Sequence, residues 1–81
     1  MSLAKYIARL QRMDYLIAMK ATGPPEEFAY KMNLSRSMLF ETLQEMKGMG
    51  VDIRYSTMRE TYYYGDARRI VIKVENAAEN Q

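Results

Sequence analysis

Apolar residues recur at two different spacings along this chain, and the change of spacing divides it in two. From residue 3 to residue 21 the period is helical. Leu3, Ile7, Leu10, Met13 and Ile17 fall on one face, which Tyr6 and Leu16 widen. Lys5, Arg9, Arg12 and Lys20 lie largely off that face, either as phosphate contacts or as an ordinary solvated surface. Gly23 is suited to end the helix, and Pro24-Pro25 forces a break. A second helix opens at Pro25, with Glu26 and Glu27 at the positive end of its dipole and Phe28, Ala29 and Met32 on its apolar face. A third runs from Arg36 to Lys47, with Leu39, Leu43 and Met46 inward and Gly48 and Gly50 as its stop.

After Gly50 the period becomes two. Val51, Ile53 and Tyr55 alternate with Asp52 and Arg54, Ser56–Glu60 forms a short polar loop, and Thr61–Tyr64 makes a second strand. Alternation puts Tyr62 and Tyr64 on one side and Tyr63 on the other. Beyond a Gly65-Asp66 turn, Arg69–Glu75 is expected to form a third strand, with Ile70, Ile72 and Val74 on one face. That strand completes a sheet with the hairpin or pairs with a second copy of the chain, since left open it invites aggregation. Residues 1–75 thus read as one α+β domain, and residues 76–81 as a flexible tail.

The join between the second and third helices is the most informative stretch. Asn33 stands where the chain must turn, and Asn tolerates the left-handed conformation that such a turn requires. Ser35 then supplies an N-cap hydroxyl for the next helix. Two short helices about a tight turn, with the small Ala29 where they cross, form a helix-turn-helix, whose second helix commonly enters the DNA major groove.

From Leu34 to Val51 the chain resembles the DeoR-like and biotin-repressor-like winged helix-turn-helix families. Leu34-Ser35-Arg36 opens the recognition helix, Leu39, Leu43 and Met46 follow, and Gly50 precedes the wing. It is also similar to short bacterial winged-helix proteins that carry elements corresponding to Tyr15-Leu16-Ile17, Thr22-Gly23, Pro25-Glu26-Glu27-Phe28-Ala29 and Tyr62-Tyr63-Tyr64. The resemblance spans roughly residues 6 to 64. It implies three helices followed by a β-hairpin wing, double-stranded DNA as partner, and transcription regulation as a homodimer. One departure stands out: DeoR-like proteins usually carry basic residues just after the Leu39 position, where this chain has Phe40 and Glu41, with Glu45 one turn further on.

On that reading the candidate DNA contacts are Ser35, Arg36, Ser37, Met38 and Gln44 on the third helix, with Arg54 and Arg59 on the wing. Arginine suits a guanine edge or a phosphate, glutamine an adenine, and methionine a thymine methyl. Arginine on a wing suits the negative potential of a narrow minor groove. The competing reading is a protein-interaction module on the same scaffold, favoured by the acidic third helix and by the tyrosines.

Composition narrows the field. The 81 residues include no cysteine and no histidine, which removes disulfides, thiolate or imidazole metal sites, and Cys or His catalysis. The carboxylates form no recognisable acid/base pair and no phosphate-binding glycine loop is present, so no enzyme activity, cofactor or small-molecule ligand is expected. A net charge of +2 and a pI near 9.0 permit a polyanionic partner. No apolar run is long enough for a membrane span and the first residues lack a signal-peptide pattern, so a cytoplasmic protein without membrane association is expected. Eight methionines in so short a chain are expected mainly to fill the core.

Overall fold

The computed structural model describes residues 2–80. Three helices, α1 (Leu3–Ala18), α2 (Pro25–Met32) and α3 (Arg36–Gly48), precede an antiparallel hairpin of β1 (Ile53–Ser56) and β2 (Thr61–Tyr64). This is the predicted α+β order, compatible with a winged helix. Among the described residues no helix is long and apolar enough to cross a membrane.

Local chemistry sets each boundary. Ser2 caps α1, its hydroxyl accepting the Lys5 N–H at 3.1 Å. The helix ends at Ala18, earlier than predicted, because Lys20 takes a left-handed conformation (φ +55°). The Lys20 N–H then returns to the Ile17 carbonyl and the Ala21 N–H to the Leu16 carbonyl. Gly23 therefore bends the loop towards Pro24 instead of ending the helix. Asn33 adopts φ +57° after α2, as the sequence predicts, and the Ser35 hydroxyl accepts the Met38 N–H to open α3.

The core lies where the three helices meet the inner face of the hairpin. Met13, Ile17, Phe28, Leu39 and Met46 are fully buried, with Ala29, Leu43 and Ile53 beside them. Ile53 pairs with Tyr64 and Tyr55 with Tyr62. Tyr62 and Tyr64 pack on the core, and Phe28 lies 5.6 Å from Tyr62 between ring centroids. Arg54, Ser56, Thr61 and Tyr63 therefore belong to the outer face of the sheet. The expected placement of Leu3 and of most methionines fails. Leu3, in the first turn of α1, is exposed, and so are Met19, Met38, Met49 and Met58.

The third strand predicted at Arg69–Glu75 is absent among the described residues, and the reason lies at the edge of β2. The Gly65 N–H donates to the Asp52 carbonyl. By antiparallel alternation the Thr61 and Tyr63 amides then face β1, and the Tyr62 amide faces away. Thr22, with no exposed surface, meets that amide: its Oγ1 accepts the Tyr62 N–H at 2.8 Å. The Thr22 N–H donates to Thr61 Oγ1, and the two threonine hydroxyls lie 3.1 Å apart. The edge is already occupied by a side chain from the α1–α2 loop.

Residues 69–75 are drawn onto α1 instead. Asp14, only 7% exposed, holds the Arg69 guanidinium through two contacts, the shorter 2.6 Å, and accepts the Tyr64 hydroxyl at 2.7 Å. The Ile70 N–H donates to the Tyr64 oxygen, and the Gln11 side chain donates to the Ile72 carbonyl. Ile70 is buried and Ile72 half-buried, but Val74, expected on the same apolar face, is fully exposed. Ala77–Asn80 forms a short 3-10 turn.

Burial and donation to Asp14 both push the Tyr64 phenol well above its ordinary value. The folded chain keeps that proton after the unfolded chain, with phenols near about 10, has lost it. This contribution is therefore whole below about pH 10 and declines as pH rises towards the folded value. Tyr6 and Tyr62 shift in the same direction. Urea denaturation at about pH 9 and about pH 11 is expected to show a fall in stability that Tyr64→Phe makes shallower. An equally steep fall in that variant would show that the Tyr64 phenol is not held by the fold.

Candidate nucleic-acid interface

The exposed side of α3 follows from its buried side. Leu39, Thr42, Leu43 and Met46 face the core. Ser37, Glu41, Gln44 and Gly48, spaced at helical intervals, form the opposite stripe, and all are exposed. Ser37 and Gln44 thus share one face, as a groove-reading helix requires. Glu41 stands between them, and the stripe holds no cation.

Arg36 leaves the first turn on one flank. Its side chain is 57% exposed, its guanidinium lies 3.6 Å from Glu26 on α2, and its Cζ stands 5.5 Å from the centre of the Phe40 ring. The long ion pair and the ring steer the guanidinium along the helix surface while leaving its N–H groups accessible. Met38 is exposed, and its carbonyl accepts the Thr42 hydroxyl at 2.8 Å. Ser35 is committed as the cap. Ser35, Arg36, Ser37 and Met38 are gathered at one end of α3, and Gln44 is two turns along.

The hairpin candidates are not gathered with them. Arg54 belongs to the outer face of the sheet, the side away from the core and α3. It is tied to Asp52 at 3.0 Å, and that contact raises its pKa. Arg59 lies in the turn between the strands, where its backbone N–H donates to Ser56 Oγ at 3.1 Å. Its side chain lines a pocket with Lys20, Ser56, Thr61 and Tyr63.

Two features escape a reading of the sequence by segments. Glu45 accepts the Tyr6 hydroxyl at 2.6 Å, a bond that also raises the Tyr6 pKa. It is a tether between α3 and α1. That bond brings Tyr6, on the N-terminal half of α1, to the C-terminal half of α3. Lys5, Arg9 and Arg12, spaced four and three residues apart, form a basic stripe on that half of α1. Among the described residues none of the three has an ion-pair partner, nor do Lys20, Lys47 and Arg59. The i, i+4, i+7 spacing of the stripe is readable from the sequence, but its neighbour is not. Among the described residues no group of acids, histidines or cysteines is placed to hold a metal ion.

Comparison with protein-family models, with curated proteins and with solved structures finds no match for this chain.

Arg36 has two exposed partners and no buried hydrogen bond. Arg36→Ala is expected to cost less than about 1 kcal/mol of folding stability in chemical denaturation. A loss of about 2 kcal/mol or more would make Arg36 a structural residue and remove it from the interface.

Proposed function

We propose that the protein is a winged-helix protein that binds double-stranded DNA and regulates transcription, with α3 as its reading helix. The observation that carries this reading is the stripe of unpaired cations Lys5, Arg9 and Arg12 beside an α3 whose outer face is unobstructed. Cations without internal partners are free to displace counterions from a phosphate backbone. In this arrangement α1 supplies affinity and register, while Ser37, Met38 and Gln44 meet base edges. Arg36 contacts a guanine edge or a phosphate at the groove wall. Arg59 is the hairpin cation free to reach the backbone, since Arg54 is held by Asp52. A homodimer would form through α1 and the segment after Arg69, where Tyr15, Val71 and Val74 are exposed.

One observation favours a second reading, a protein-interaction module. Met38, Phe40 and Met49 are exposed on α3 and at its end, and Glu41 adds negative charge among them. Methionine and aromatic side chains suit an adaptable protein contact better than a phosphate backbone.

Fluorescence-anisotropy titration of duplex DNA separates the two. Arg36→Ala is expected to weaken specific binding by about 1–3 kcal/mol, as loss of a bidentate base contact does. Glu41→Gln is expected to strengthen binding modestly by removing a negative charge from the stripe. Gln in place of Arg9 or Arg12 should weaken binding to every sequence and flatten the slope of log affinity against log salt by about 0.9 per cation. If Arg36→Ala and Glu41→Gln both leave affinity unchanged in a folded protein, α3 is not the reading helix and the interaction module takes its place.

A further inference from the structure

A second feature stands apart from α3, on the outer face of the hairpin. There residues of the α1–α2 loop and the hairpin line an open pocket of about 230 Å³, formed by Lys20, Ser56, Arg59, Thr61 and Tyr63. It contains two cations and no acid. Among the described residues neither Lys20 nor Arg59 has an ion-pair partner. A wider adjoining groove shares Lys20, Arg59 and Thr61 with this pocket and is lined also by Glu27 and Glu60, of which Glu27 lies 3.6 Å from Lys31. Two like charges facing one small concavity repel each other until an anion occupies it. The hydroxyls of Ser56 and Tyr63 add donors of the kind an oxyanion takes. The volume falls below the roughly 300–1,000 Å³ of pockets for drug-sized ligands, which favours a single tetrahedral group with its waters.

The backbone gives an independent reason. Lys20 occupies the left-handed position that ends α1, where glycine is the low-cost residue. A lysine there carries a conformational cost, as Glu60 does at φ +52° in the hairpin turn, and costs of this kind cluster at functional positions. Lys20, at that turn, and Arg59 line the same pocket.

We propose that Lys20 and Arg59 form a binding pocket for a phosphate group. Its two cations bind the anion, with Ser56 and Tyr63 donating to its remaining oxygens. The site does not depend on whether α3 enters a DNA groove, and it accepts either a free phosphate or one belonging to a DNA backbone.

Amide chemical-shift titration of the whole protein with inorganic phosphate at fixed ionic strength tests it, with chloride as the control anion. Saturable shifts are expected at Lys20, Ser56, Arg59 and Thr61. Arg59→Gln should weaken the apparent affinity by about tenfold, the factor expected on losing one charge-assisted hydrogen bond. Lys20→Gly is the sharper variant. It relieves the left-handed strain, so the thermal midpoint should rise while phosphate binding falls, a combination that a purely structural lysine would not give. A short duplex then distinguishes the sources. If the duplex moves the same amides and phosphate competes with it, the pocket seats a backbone phosphate. If phosphate alone moves them, the ligand is a free phosphate. Shifts that do not saturate, that chloride reproduces, or that survive both substitutions would overturn the proposal.

Discussion

The outer edge of a two-stranded hairpin is closed here by one side chain, and much of the arrangement depends on it. Thr22 carries both a donor and an acceptor to β2, and it does so without any exposed surface. A buried backbone N–H without a partner is costly, so the edge of β2 had to be covered. A third strand is the usual solution. A threonine in the α1–α2 loop is a shorter one, and it fixes the hairpin to the end of α1. Because the edge is taken, the segment after Arg69 lies along α1, where Asp14 and Gln11 hold it. β2 is thereby attached at both ends, to the α1–α2 loop through Thr22 near Thr61 and to α1 through Asp14 at Tyr64.

This attachment decides how the charges are distributed. Asp14, the one acid on α1, is used up by Arg69 and Tyr64, so it does not neutralise the helix's own cations. Glu45 on α3 is turned to Tyr6. The result is a basic stripe on α1 beside a third helix whose outer stripe is neutral to acidic. In the proposed function, α1 supplies affinity and α3 discrimination. The cations of the hairpin fall into a different group: Arg54 is paired with Asp52, and Arg59 lines a pocket with Lys20.

The elements legible in the sequence are those whose signals are local. The 3.6-residue period marks the three helices, Ser35 marks the start of α3, and Asn33 marks the turn before it. The hairpin and the facing of its tyrosines follow from alternation. What could not be read depends on partners distant in sequence. Ile70, Ile72 and Val74 alternate as a strand does, but alternation does not say whether a ladder is free to receive them, and Thr22 had occupied it. The period of α1 points to Gly23 as its stop, but the helix ends at Ala18 because Lys20 already turns into the left-handed region, three residues before Gly23 does the same. For the candidate site, the types and helical spacing of Arg36, Ser37 and Gln44 were legible. The engagement of Arg36 with Glu26, of Glu45 with Tyr6, and the meeting of Lys20 with Arg59 were not, since no local pattern encodes them.

The closing of the β2 edge by Thr22 can be examined at a single amide. The Tyr62 N–H points away from β1, so only the Thr22 hydroxyl protects it. Native-state hydrogen exchange of that amide, compared between the unaltered protein and Thr22→Val, tests this directly. Tyr62 is expected to exchange in the unaltered protein only through opening nearly as costly as global unfolding. In Thr22→Val it should lose that protection while core amides of α1 and α3 stay protected relative to the variant's own stability. Rapid exchange of Tyr62 in the unaltered protein, or unchanged protection in the variant, would contradict this role for Thr22.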